Sequence, residues 1–61
     1  MKITRNENES LIDFAKRAMN TATIYGSKVI RAFQGDKMTL VYPEDNYNMV
    51  LISMKLAELS K

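Results

Sequence analysis

Apolar residues recur in the first third of the chain at the spacing of a helix, and in the middle at the spacing of a strand. Leu11, Phe14, Ala15, Ala18 and Ala22 share one helical face, with Ile12 and Met19 beside them, which predicts a helix over about residues 7–20. Its small residues allow a neighbouring element to approach closely. Thr4-Arg5-Asn6-Glu7 fits the capping-box pattern, and Asn6 with Glu9 offers a second start. Glu7 and Glu9 then occupy the first turn and Lys16 and Arg17 lie near the last, as the helix dipole prefers. Asp13 and Arg17 are spaced for an i,i+4 ion pair. Before the helix, Met1 to Arg5 alternates and suits a short edge strand. After it, Thr21 to Tyr25 is β-branched and aromatic, and reads as a connection or the start of a strand ending at Gly26.

The middle segment, SKVIRAFQGDKMTLVYP, consists of two alternating runs around Gly35-Asp36. A glycine at the first of two central positions suits a type II′ hairpin. The implied pairs are Gln34 with Lys37, Phe33 with Met38, Ala32 with Thr39, Arg31 with Leu40, Ile30 with Val41 and Val29 with Tyr42. One face then carries Val29, Phe33, Met38, Leu40 and Tyr42, with Arg31 as its odd member. The other carries Ile30, Ala32, Gln34, Lys37, Thr39 and Val41. Counting apolar residues assigns the first set to the core and leaves the second, with the strand edge, as the exposed surface. Arg31, on the core face, is expected to pair with a carboxylate such as Glu58, to stack on Tyr42, to snorkel to the rim or to enter a partner. In a rival reading Ser27 caps a short helix over residues 28–34 that ends at Gly35.

In the last third, Pro43 followed by Glu44 and Asp45 signals a helix start and predicts a helix over residues 44–60. Two stripes run along it. Tyr47, Val50, Leu51, Met54 and Ala57 form one, and Met49, Ile52, Leu56 and Leu59 the other. The run Met49 to Ile52 also suits a buried strand, with Pro43 to Asn46 as a turn. The fold class is therefore small α+β. A single domain over residues 1–61 has the order α-β-β-α, an antiparallel hairpin packed on two helices, with a possible N-terminal strand. The alternative is a three-stranded antiparallel sheet with flanking helices.

Composition narrows the function classes. The chain contains neither cysteine nor histidine, so disulfides, the usual zinc sites and the commonest nucleophiles and general bases are missing. Gly26 and Gly35 are its only glycines, too few for a phosphate-binding loop. Glu44-Asp45 is the one adjacent acidic pair, and at a helix start it reads as a dipole cap. No enzymatic activity, cofactor or metal is expected. Residues 1–20 carry charges throughout and no apolar run reaches membrane length, so neither a signal peptide nor a membrane segment is expected, and the expected location is the cytoplasm. The net charge of +2 is uneven: Lys16, Arg17, Lys28, Arg31 and Lys37 face only Asp36 between residues 16 and 42, while both flanks are weakly acidic.

Binding is what remains. A last helix apolar most of the way round exceeds what one hairpin and one alanine-rich helix can cover. A lone hairpin is marginal and leaves open edges, so pairing of two hairpins across a two-fold axis would satisfy both. The expected partners are a protein and a second copy of the chain, and the expected partner-binding residues are Lys28, Arg31, Lys37, Met49, Ile52, Leu56 and Leu59. The mechanism would be occlusion of a surface on another macromolecule. In size and lack of motifs the chain resembles the small accessory proteins with which phages and mobile elements modulate host machinery. The alternative is a small nucleic-acid-binding regulator that uses a basic hairpin. The element order loosely echoes the double-stranded-RNA-binding domain, but Glu44-Asp45 stands where that family has a basic cluster.

Overall fold

A computed structural model describes residues 1–25 and 29–59. The element order is β1 (Lys2–Thr4), α1 (Leu11–Ile24), β2 (Ile30–Gln34), β3 (Lys37–Val41) and α2 (Tyr47–Leu59). The three strands form one sheet in the order β1-β2-β3. Both helices pack against the sheet and against each other, with α2 lying mainly against β3. The α+β class and the sequence of helix, hairpin and helix are as expected. The rival helix over 28–34 and the strand reading of 49–52 are not what forms, and the sheet is mixed rather than wholly antiparallel. Ser27 and Lys28 lie outside the described residues.

Helix α1 begins four residues later than the expected start at residue 7, because its N-cap is Ser10 rather than Thr4 or Asn6: the Ser10 hydroxyl accepts from the Asp13 N–H at 3.1 Å. The Asn6 N–H donates to Glu9 Oε1 at 3.1 Å, but upstream of the helix. The helix then runs through Thr21 and Thr23, whose hydroxyls donate to the Arg17 and Met19 carbonyls at 2.8 and 3.1 Å. The β-branched stretch therefore closes the helix rather than starting a strand. Lys16 and Arg17 therefore sit in mid-helix. Helix α2 starts at Tyr47 rather than after Pro43. Asn46 caps it, its Oδ1 accepting from the Met49 N–H at 2.9 Å. Asp45 instead closes a turn, its Oδ2 accepting from the Tyr42 N–H at 2.9 Å, so the acidic pair is not a cap on this helix.

The hairpin register is the expected one, from Ile30 opposite Val41 to Gln34 opposite Lys37. Gly35 has φ of +63°, the left-handed value the turn requires of its first central residue. Strand β1 pairs in parallel with β2, with Lys2, Ile3 and Thr4 opposite Arg31, Ala32 and Phe33. The sheet's faces are the reverse of the expected ones. Ile30, Ala32, Thr39 and Val41 are buried beneath the helices, whereas Val29, Arg31, Met38, Leu40 and Tyr42 are exposed. Arg31 decides this. It is the second residue of β2, away from the turn, where a cation facing two helices would be buried without a counter-charge, whereas Gln34 and Lys37 lie at the turn and reach the rim. Gln34 Nε2 accordingly donates to the Met54 carbonyl at 3.2 Å.

The core comprises Phe14, Ala15, Ala18, Ala22, Ile30, Ala32, Val41, Val50 and Met54. Thr39 shares the inner face, and its hydroxyl has no hydrogen-bond partner among the described residues. A buried, unpaired hydroxyl is destabilising and valine has nearly the same shape, so Thr39→Val should raise stability by about 1 kcal/mol. Urea unfolding would show this as a higher midpoint with an unchanged slope. A lower midpoint would mean that the hydroxyl is satisfied in solution.

Candidate functional site

The expected site residues separate into two places. Arg31 stands on the outer face of the sheet, within the lateral row Lys2–Arg31–Leu40. The adjacent outward row is Thr4–Phe33–Met38. Two cations thus lie abreast in a parallel pair, an arrangement that repels unless something negative covers it. Lys2 turns its ammonium over the Phe33 ring, 5.0 Å from the centroid. No acidic side chain lies on this face of the described strands. Met38, Leu40 and Tyr42 follow β3 outward and are each more than two-fifths exposed. Val29, just before β2, is exposed as well. Lys37 is half-buried at the turn end and points with the inner set, so it does not join Arg31.

Glu58 is not the partner of Arg31. It pairs with Arg5 at 3.6 Å, and Arg5 also donates from Nε to the Glu9 carbonyl at 2.9 Å. This cluster borders an open cleft of about 580 Å³ at the turn end of the sheet. Arg5 and Lys37 line the cleft together with Glu7, Asp36 and Glu58. The cleft carries charges of both signs, of which Arg5 and Glu58 pair with each other, so it is not a site for one sign of ion. Among the described residues no group of three or more acidic side chains is placed to hold a metal.

Arg17 also departs from its expected partner. It forms a two-pronged contact with Glu9, Nε to Oε2 at 2.9 Å and Nη2 to Oε1 at 2.8 Å, rather than meeting Asp13. Its Nη2 donates to the Thr4 carbonyl at 2.6 Å as well, and the guanidinium lies 5.2 Å from the Phe14 ring centroid. The Arg17 hydrogen bond is the main reason the Glu9 carboxyl titrates below the usual carboxylate range. The Asn6 N–H and the charges of Arg17 and Arg5 add to it, while burial opposes. This is a structural clamp that joins β1, the following loop and α1.

The second place is α2. Tyr47, Val50, Leu51, Met54 and Ala57 face the core as expected. Met49, Ile52, Leu56 and Leu59 project from the opposite side and are 56–77% exposed. The residues missed from sequence are Met38, Leu40 and Tyr42, which the apolar count placed in the core, and Lys2, which was read only as part of a possible edge strand. The available signal was Arg31 among them, since a cation within a strand marks the solvent face. Among the described residues no helix is long and apolar enough to cross a membrane. The sequence matches no protein-family model, and neither a curated protein nor a solved structure matches it.

Proposed function

We propose that this is a non-enzymatic binding protein that acts by covering a surface on another protein, and that the outer face of the sheet is the surface it uses. The observation that carries the reading is the Lys2–Arg31–Leu40 row, two cations abreast on a face with exposed Met38 and Tyr42 and, among the described residues, no acid. A partner surface with a carboxylate set among apolar side chains would neutralise the pair and bury the rest. The setting is the cytoplasm, and the chain is also paired with a second copy of itself.

A second reading draws on the same face. Phe33 and Tyr42 offer rings and Lys2 and Arg31 offer charge, the elements on which single-stranded nucleic acid stacks. Affinity capture from host lysate, with and without nuclease, separates the two. The chain should retain a stoichiometric protein after nuclease treatment, and Arg31→Glu with Leu40→Asp should reduce its recovery at least about tenfold. Retention of nucleic acid, or loss of the protein on nuclease treatment, would replace the protein-binding reading with the nucleic-acid one. Recovery unaffected by the double substitution would exclude the outer face.

A further inference from the structure

We infer that β3 pairs with β3 of a second copy of this chain, antiparallel across a two-fold axis at Thr39, so that the two sheets become one. The inference rests on the self-association proposed above and names its surface. The hydrogen bonds of β2 locate it. The Arg31 N–H donates to the Met1 carbonyl and the Arg5 N–H to the Phe33 carbonyl, both at 2.9 Å. Arg31 and Phe33 thus turn their backbone groups to β1, which makes Arg31–Leu40 and Phe33–Met38 the non-hydrogen-bonded pairs of the hairpin. Met38 and Leu40 therefore turn their N–H and carbonyl groups to the far side of β3, where no further strand lies among the described residues. Unpaired backbone groups in a row on an edge are a template for another strand.

This edge is bounded. Beyond it the Tyr42 N–H donates to Asp45 Oδ2 at 2.9 Å and the Tyr42 carbonyl accepts from the Asp45 N–H at 3.0 Å, so both groups of Tyr42 are taken. The opposite edge of the sheet, β1, is open as well but is the poorer template. It has three residues, Lys2 among them, and its outward Thr4 carbonyl already accepts from Arg17 Nη2 at 2.6 Å.

Thr39 selects a second copy. It lies between Met38 and Leu40 on the inner face, and its buried hydroxyl has no partner among the described residues. A two-fold axis at Thr39 sets Met38 opposite the second copy's Leu40 and Leu40 opposite its Met38, which uses each free backbone group once. The same axis sets Thr39 opposite its own copy in a non-hydrogen-bonded pair, where side chains come closest. A hydroxyl both donates and accepts, so two threonines satisfy each other, and a staggered rotation about Cα–Cβ is enough to turn each to the edge. A foreign strand would have to offer a polar side chain at this one position, whereas a copy does so by symmetry. Charge agrees. Met38 to Tyr42 carries none, Lys37 falls opposite Val41 and Asp36 opposite Tyr42, so no like charges meet. On the outer face Met38 and Leu40, 45% and 43% exposed, join their copies in one apolar cluster.

These rungs cover less than the standard interface of about 800 Å² per partner, so the expected dissociation constant is on the order of 30 μM. Sedimentation equilibrium between about 1 and 300 μM should show the 7.0 kDa chain passing to twice that mass. Met38→Glu with Leu40→Glu sets acid against acid across the axis and should weaken association at least about 100-fold. Its circular dichroism spectrum should be unchanged, because both side chains are exposed and Arg31 neighbours position 40. Met38→Glu with Leu40→Lys sets acid against base in this register and should restore the dimer. Thr39→Val should weaken association about tenfold and Thr39→Ser should not. The stability gain expected of Thr39→Val belongs to the protomer, below the association range. Thr39→Cys, in a chain with no other cysteine, should cross-link to itself under mild oxidation, since Cα atoms about 4.5 Å apart in such a pair suit a disulfide. A dimer that withstands the paired glutamates, or that the glutamate–lysine variant fails to restore, would overturn the pairing of β3 and leave self-association standing. A monomer at every concentration would remove both. Protein capture by the outer face is read separately, from lysate.

Discussion

Phe14→Ala should leave the chain largely unfolded. The fully buried large side chains are Phe14, Ile30, Val41 and Met54, and only Phe14 comes from α1. The other fully buried residues of α1 are Ala15, Ala18 and Ala22. These let the helix sit close to the sheet, but they bury little area each. One aromatic ring is therefore the largest fully buried anchor of α1, with Leu11 and Met19 partly buried beside it. Its removal costs about 3–5 kcal/mol, of the same order as the whole stability expected of a domain this small. Urea unfolding followed by far-ultraviolet circular dichroism would show the cooperative transition lost or moved close to zero denaturant. A loss below about 1 kcal/mol would mean that the alanine face alone anchors the helix. Protein concentration must be held fixed, because self-association adds to apparent stability.

The second large effect concerns Arg17. In Arg17→Met the Glu9 carboxylate, whose side chain is only 12% exposed, loses its two-pronged partner, and the Thr4 carbonyl loses a donor. Deleting one member of a fully buried pair costs about 3–5 kcal/mol, and the 37% exposure of Arg17 reduces this to about 2 kcal/mol near neutral pH. The pH dependence is a sharper signature. Glu9 has its folded-state pKa lowered, so over the interval below the ordinary carboxylate value the unfolded chain binds more protons than the folded one. The contribution is fully present above that ordinary value and is lost as pH falls through the depressed one. The gap between parent and Arg17→Met should therefore be widest near neutrality and close on acidification. Denaturation midpoints across an acid series check it. A gap independent of pH would assign the loss to packing on Phe14 rather than to the ion pair.

Local signals in the chain were enough to give the hairpin rung by rung, because glycine at the turn fixes the register and alternation carries it along both strands. The same alternation left the choice of face to a count of apolar residues, and the count pointed the wrong way. One Arg31 within β2 outweighed an excess of apolar neighbours, since a helix-covered face offers a cation neither water nor counter-charge. The helix boundaries shifted for a similar reason. Ser10 and Asn46 are caps by virtue of what their side chains reach, whereas Glu9 and Asp45, which look like cap residues, are drawn into the Arg17 clamp and the Tyr42 turn. The two stripes of α2 were legible because helical spacing alone separates them. The outer-face site was not, because Lys2 reaches Arg31 only through a parallel pairing that local pattern does not encode.

That parallel pairing has a consequence for how the chain assembles. Strand β1 meets β2 at residues 29 positions downstream, whereas the hairpin closes through two residues. Joining β1 requires the intervening chain to be brought round first, and the entropy of that closure is offset by only three strand residues. The hairpin and α2 are contiguous in sequence and assemble without it, so β1 docks late and is the first strand to peel away. Until it docks, Arg31 has no cation beside it, and the positively charged row exists only in molecules whose N-terminal strand has reached the middle of the chain.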